Sequence, residues 1–277
     1  MVNPMDALID ILTREDSDAP LELAALELAT IEFPNLDPGP FIDILDSYSN
    51  EIDERMRMEY DSVERLQVLH EFLFREQGFI GNEQDYYNAR NSCLNEVIAS
   101  RTGIPISLCV VYMAVAERLE MPVYGIGLPG HFLCSYEEEE GFKTFIDVFH
   151  QGTLMTGEEC LDFARTLTGM DLSATPQLLQ PVTSRQIIIR MLNNLRSIYL
   201  RGKQFPKASQ VLDLLLRASP TDADSYILRG AVNVELKKFQ AARSDFENYL
   251  ALMPEARDRD RVVEQIAIID RYLSRRG

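Results

Sequence analysis

Four residue pairs in the C-terminal third of this 277-residue chain recur at a single offset. Phe205 and Phe239, Ala208 and Ala242, Leu216 and Leu250, and Pro220 and Pro254 are each 34 residues apart. A shared offset of this length fixes a repeating helix-turn-helix unit rather than an isolated element. The chemistry at the matched positions fits that unit, because a small alanine lets two antiparallel helices approach closely and a proline closes the second helix. The pattern predicts helices over 186–201, 205–218, 223–236 and 239–252, with 256–274 as a terminal capping helix. Two units and a cap are fewer than the roughly three that usually stand alone, so this segment is expected to dock on something.

The stretch 91–152 carries a different signal. Segments 131–136 (HFLCSY) and 142–149 (FKTFIDVF) read as two strands around a charged turn at 137–141. Each holds one polar residue, His131 or Asp147, among apolar and aromatic neighbours. A polar group on a buried face needs a partner. If Tyr136 faces Phe142, His131 faces Asp147, close enough for the carboxylate to accept an imidazole N–H; a slip of two residues would leave them diagonal and still in reach. Such a pair orients an imidazole and raises its basicity, as in Cys-His-Asp or Ser-His-Asp sites. It also occurs as a purely structural network. His150 and His70 read as surface histidines, and the cysteines at 93, 109, 134 and 160 show no CxxC spacing, so no metal or other cofactor is expected.

Ahead of the hairpin, Gly103-Ile104-Pro105 opens a helix whose residues 108–116 (LCVVYMAVA) are apolar without interruption. Such a helix is buried on every side, and this one should end near Glu120 because Pro122 cannot continue it. A small sheet beginning with Val123–Gly127 is expected to pack against it.

The combination NSCLNEVIASRTGIPISL, then LPGHFL, then IDVF, followed by the 34-residue repeats, resembles the SirB-type proteins, which join a transglutaminase-like domain to tetratricopeptide repeats. The resemblance implies an α+β, mostly helical chain. A helical N-terminal part (1–84) would pack on a transglutaminase-like, papain-like core (85–180) with a small antiparallel sheet, and a helical repeat array (185–277) would follow. In the wider superfamily the catalytic cysteine opens the central helix, two residues after a glycine and four before an alanine. Gly103 matches that glycine, Cys109 stands at the alanine, and His131 and Asp147 match the remaining pair. The cysteine position falls on Pro105, which has no nucleophile.

Two other residues are candidates for that role. Cys93 is expected in the first turn of a helix capped by Asn91 or Ser92, where the helix dipole lowers a thiol pKa. It also fits a small buried core cysteine. Ser107, one turn past Pro105, fits equally an ordinary first-turn serine that satisfies backbone donors. On the first repeat helix Arg190, Asn193, Ser197 and Arg201 fall at i, i+3, i+7 and i+11. By the resemblance this polar stripe would line the groove in which tetratricopeptide repeats hold peptides; any amphipathic helix also has a solvent-facing stripe.

The first third reads as helices over 4–13, 20–33, 39–60 and 62–76, broken at 18–20 and 34–40. Residues 1–65 hold 17 acidic and 4 basic side chains, against 11 acidic and 17 basic over 185–277. Opposite fields favour association of the two ends, and they equally describe two solvated faces of different sign. A net charge of −17 argues against direct nucleic-acid binding. With no leader and no apolar run approaching 18 residues, a cytoplasmic protein off the membrane, with reduced thiols, is expected. Two functions follow as alternatives. One is a protein-interaction or regulatory module in which the transglutaminase-like domain has lost its nucleophile. The other is a cysteine-dependent amidase, protease or acyl transferase using Cys93, His131 and Asp147. Oligomeric state is not encoded in these signals.

Overall fold

The computed structural model describes residues 5–56, 60–137, 143–170 and 175–275, in two compact units, 1–191 and 192–277. The first unit is organised around α6 (Pro105–Arg118), in which every residue from Pro105 to Ala116 except Met113 is buried. Pro105 occupies its first turn, where the missing N–H costs nothing. The helix stops at Arg118, two residues short of the expected Glu120. Glu120 itself adopts a left-handed φ of 53° ahead of Pro122.

The chain approaches it first through α1 (Asp6–Thr13), α2 (Leu21–Leu28), α3 (Gly39–Asp53) and α4 (Ser62–His70). Burial on α2 is nearly complete, so its carboxylates need internal partners. Glu27 accepts the Leu8 N–H at 2.7 Å at the open start of α1. Burial pushes the Glu27 carboxyl up, and the backbone N–H groups of Leu8 and Ala7 oppose that push. Glu22 meets Arg118 at 2.9 Å, and the same guanidinium reaches Asp46 at 2.6 Å, tying α2 and α3 to the end of α6. After His70 the helix continues as a wider π turn, Glu71–Glu76. A short helix α5 (Leu94–Ser100) follows, and β1 (Ile80–Gly81) pairs in parallel with β2 (Thr102–Gly103).

The main sheet is antiparallel in the order β3 (Val123–Ile126), β4 (Leu133–Glu137), β5 (Lys143–Asp147), β6 (Thr153–Met155), with α7 (Gly157–Thr168) after it. The register differs from the sequence expectation: Tyr136 faces Thr144 and Glu137 faces Lys143. The ladder gains the cross-strand Glu137–Lys143 ion pair, which opposes unlike charges at its end. The shift amounts to two residues, so both strands keep their faces and His131 and Asp147 stay on the same side. The expected partner Phe142 and the turn residues 138–141 lie outside the described residues.

The repeats are regular. Helix α8 (Ser184–Arg201) is followed by α9 (Phe205–Ala218), α10 (Ala223–Glu235), α11 (Phe239–Leu252) and α12 (Arg259–Ser274). The turns obey the 34-residue offset as strictly as the side chains do. Lys203 and Lys237 both take left-handed φ, at 52° and 58°, and Gln204 and Lys238 both return an N–H over 2.8 Å to the carbonyls of Tyr199 and Asn233. Ala208 and Ala242 are fully buried. Between α9, α10 and α11, Arg229 grips buried Asp245 through Nε and Nη2 (3.1 and 2.6 Å) and reaches Asp213 through Nη1 at 2.7 Å; Asn233 adds a bond to Asp245 at 2.9 Å. Removing one partner of a buried pair strands the other. Asp245→Ala is therefore expected to destabilise the chain by about 3 kcal/mol in urea unfolding; a loss well below 1 kcal/mol would show that the pair is not structural.

Candidate functional site

The site forms where the β3–β4 and β5–β6 connections come together. After β3 the chain turns at Leu128-Pro129-Gly130, with Gly130 at φ 77° and the His131 N–H returning 3.3 Å to the Leu128 carbonyl. This places His131 just ahead of β4, buried, with its ring on the edges of Phe163 (centroids 5.0 Å) and Phe149 (6.1 Å). Its Nε2 lies 3.0 Å from Asp147 Oδ1. The two residues meet as the diagonal pair that the two-residue register shift produces.

Asp147 ends β5, and the chain reverses through the left-handed residues Gln151 (φ 56°) and Gly152 (φ 76°) so that Thr153 pairs back with Asp147. A Cβ at Gly152 would lie 2.5 Å from the Phe74 ring, so the turn admits only glycine. This reversal brings His150 onto the same carboxylate, with its Nδ1 at 2.7 Å from Oδ2 and its backbone N–H at 3.3 Å from Oδ1. The two imidazoles lie nearly parallel, 6.0 Å apart. His150 is exposed, as read from the sequence, with its side chain 45% accessible, and it also joins the cluster. Its sequence signal is the pattern Asp147-x-x-His150-x-Gly152, an Asp side chain capping its own following turn.

Burial alone would raise the Asp147 carboxyl. The hydrogen bond and charge of His131, and then those of His150, outweigh it and hold the group below the usual carboxylate value. An ionised carboxylate only accepts, so Nε2 of His131 and Nδ1 of His150 carry the hydrogens. Arg190 supports the opposite side of His131. Its Nη2 donates to the carbonyls of His131 (2.5 Å) and Leu128 (2.8 Å), and its guanidinium lies 5.4 Å over the Phe132 ring. Burial lowers the Arg190 pKa. Arg190 is thus engaged in the His131 loop. Asn193 is half-buried and its carbonyl accepts the hydroxyl of exposed Ser197 at 3.0 Å, and Arg201 is exposed.

The nucleophile candidates are placed as follows. Cys93 is fully buried and is itself the N-cap of α5, while Asn91 and Ser92 belong to the preceding turn Ala89–Ser92 instead of capping the helix. Its Sγ lies 3.5 Å from the Ala89 carbonyl. Beside it, the buried Ser92 Oγ and Asn95 Oδ1 have no hydrogen-bond partner among the described residues. Ser107 caps α6: its Oγ accepts the Ile104 N–H at 3.2 Å and donates to the Asn91 carbonyl at 2.6 Å. Cys109, Cys134 and Cys160 are also fully buried. Burial pushes the Cys109 thiol well above its ordinary value and raises that of Cys160 to about 12, with the Asp147 charge adding in the same direction.

The expectation of no metal-ligating group meets a different geometry. The ligand atoms of His131, Asp147 and His150 all lie within 4.8 Å of one another. Sequence spacing conceals this cluster, because its members come from a loop, a strand end and a turn.

His70 is also drawn inward. The π turn after it seats the ring against Phe74 (5.2 Å) and places Nε2 at 2.9 Å from the buried Tyr112 hydroxyl. An open groove of about 900 Å³ runs past His70, Phe74 and Gln151.

A family model of the transglutaminase-like superfamily matches residues 41–193, and a tetratricopeptide-repeat model matches residues 195–267. A UPF0162 protein of Xylella fastidiosa (strain 9a5c) is 32% identical over 259 residues, covering 91% of this chain and 90% of that protein. One from Vibrio cholerae is 28% identical, covering 71% and 72% of the two chains. Human F-box only protein 21 is 30% identical over 62% of this chain, which is 28% of its own length. The chain belongs to the UPF0162 family of SirB-type proteins, in which a transglutaminase-like domain is followed by tetratricopeptide repeats.

Burial lowers the His70 pKa to about 4, so the fold favours the neutral ring. Its contribution is complete above the ordinary histidine pKa of about 6.5 and is lost as pH falls from there through 4. Between pH 7 and 4.5 the wild type should lose roughly 2 kcal/mol more stability than His70→Gln in urea unfolding. Equal pH dependence of the two would contradict the burial of a neutral His70.

Proposed function

We propose that this protein works as a protein-interaction module in which the transglutaminase-like domain is a scaffold without thiol chemistry and the repeats dock a protein or peptide partner. The observation that carries this reading is the start of α6. Buried Pro105 stands where, by the family resemblance, the superfamily's catalytic cysteine would sit. Tetratricopeptide repeats generally mediate protein–protein contact, which supports the second half of the reading. Asn193, Ser197 and Arg201 are the residues of α8 to which we assign the docking contact. The net charge of −17 disfavours a nucleic-acid partner. Among the described residues no helix is long and apolar enough to cross a membrane, and the four cysteines form no disulfide, which supports a cytoplasmic setting off the membrane.

A second reading is favoured by one observation, the 3.0 Å contact between His131 and Asp147. It assigns Cys93 as the nucleophile of a cysteine-dependent amidase, protease or acyl transferase. Cys93→Ser separates the two. Under the interaction reading that variant keeps the partners captured by the full-length protein, and Cys93 is alkylated at neutral pH no faster than the other three cysteines. Asn193→Ala combined with Arg201→Glu loses those partners. Loss of function in Cys93→Ser with the fold intact, together with rapid alkylation of Cys93, would establish the catalytic reading instead.

A further inference from the structure

We propose that His131, Asp147 and His150 form a binding site for a divalent transition-metal ion, with zinc the expected occupant. The three residues offer two imidazole nitrogens and one carboxylate oxygen, a donor set suited to zinc and its neighbours in the first transition row and poorly suited to magnesium or calcium. Zinc binds nitrogen and oxygen ligands at about 2.0–2.2 Å, so neighbouring ligand atoms in a tetrahedral site stand roughly 3.4 Å apart. Here Nε2 of His131 is 3.0 Å from Oδ1, Nδ1 of His150 is 2.7 Å from Oδ2, and all the ligand atoms lie within 4.8 Å of each other. An ion therefore enters by a small outward movement of two rings, with no backbone rearrangement.

The surroundings are those of a prepared site. Asp147 and His131 are buried, at 3% and 5% exposure, and His131 is fixed by two aromatic edges and by Arg190 on its own carbonyl. His150 is 45% exposed and supplies the route from solvent. When the ion binds, each imidazole gives up the hydrogen it now points at Asp147 and takes one on its other nitrogen. The carboxylate charge offsets that of the ion. Three protein ligands leave one coordination position for water or for an oxygen atom of a bound molecule.

The test uses the full-length chain stripped with EDTA and then equilibrated with zinc or cobalt(II) salts. We expect one equivalent of zinc by elemental analysis and visible cobalt(II) absorption of a low-symmetry nitrogen–oxygen site. His150→Ala, a change at a partly exposed position, should weaken zinc binding at least about 100-fold while circular dichroism stays unchanged. Asp147→Asn should weaken it as well. Failure to retain zinc, or retention that is the same in His150→Ala, would overturn the site. The latter result would place the ion on the exposed carboxylates of an acidic protein.

Discussion

A helix that is apolar on every side has to be covered on every side, and the first unit is arranged around that constraint. From Pro105 to Ala116 the surface of α6 offers water almost nothing, so helices α2 and α3 and strands β3 and β4 are drawn to it. The few polar groups on those covering elements are then forced to find partners inside. Glu22 is matched by Arg118 and Glu27 by the start of α1, and on α6 itself the Tyr112 hydroxyl is matched by His70. The same demand brings His131 and Asp147 together, because β4 and β5 are buried along almost their whole length.

Much of this was legible in the sequence, for reasons that differ by element. The repeats were readable because one period governs both side chains and turns, so that even the left-handed lysines 203 and 237 fall 34 residues apart. The central helix was readable because residues 108–116 are apolar without interruption. The strand register was read two residues away from its position, because a pairing rule that weighs apolar residues does not see the Glu137–Lys143 ion pair closing the ladder. The error left the His–Asp contact intact only because an even shift preserves the face of each side chain.

The contacts that sequence reasoning missed share a physical cause: each residue lies where a regular period is interrupted. His70 stands at the junction of an α-helix and a π turn, so the helical wheel that put it on the polar side no longer applies. His150 sits in a reversal built from two consecutive left-handed residues, where alternation has ended and no helix has begun. Arg190 was read as one member of a stripe along α8, yet the division between the two compact units falls inside that helix, just after Met191. A stripe is a property of one face only while the helix has one environment.

The second imidazole on Asp147 changes what the cluster can be. In a catalytic triad the carboxylate serves one histidine, orienting it and stabilising the cation that forms when it takes a proton. Here both carboxylate oxygens are engaged, Oδ1 by His131 and Oδ2 by His150, and the shorter of the two contacts belongs to the more exposed ring. The carboxylate is therefore shared between two imidazoles. Three donors gathered at one place suit chelation once each ring turns its hydrogen away from Asp147. Chelation of this kind asks nothing of a thiol, and all four thiols of the chain are buried.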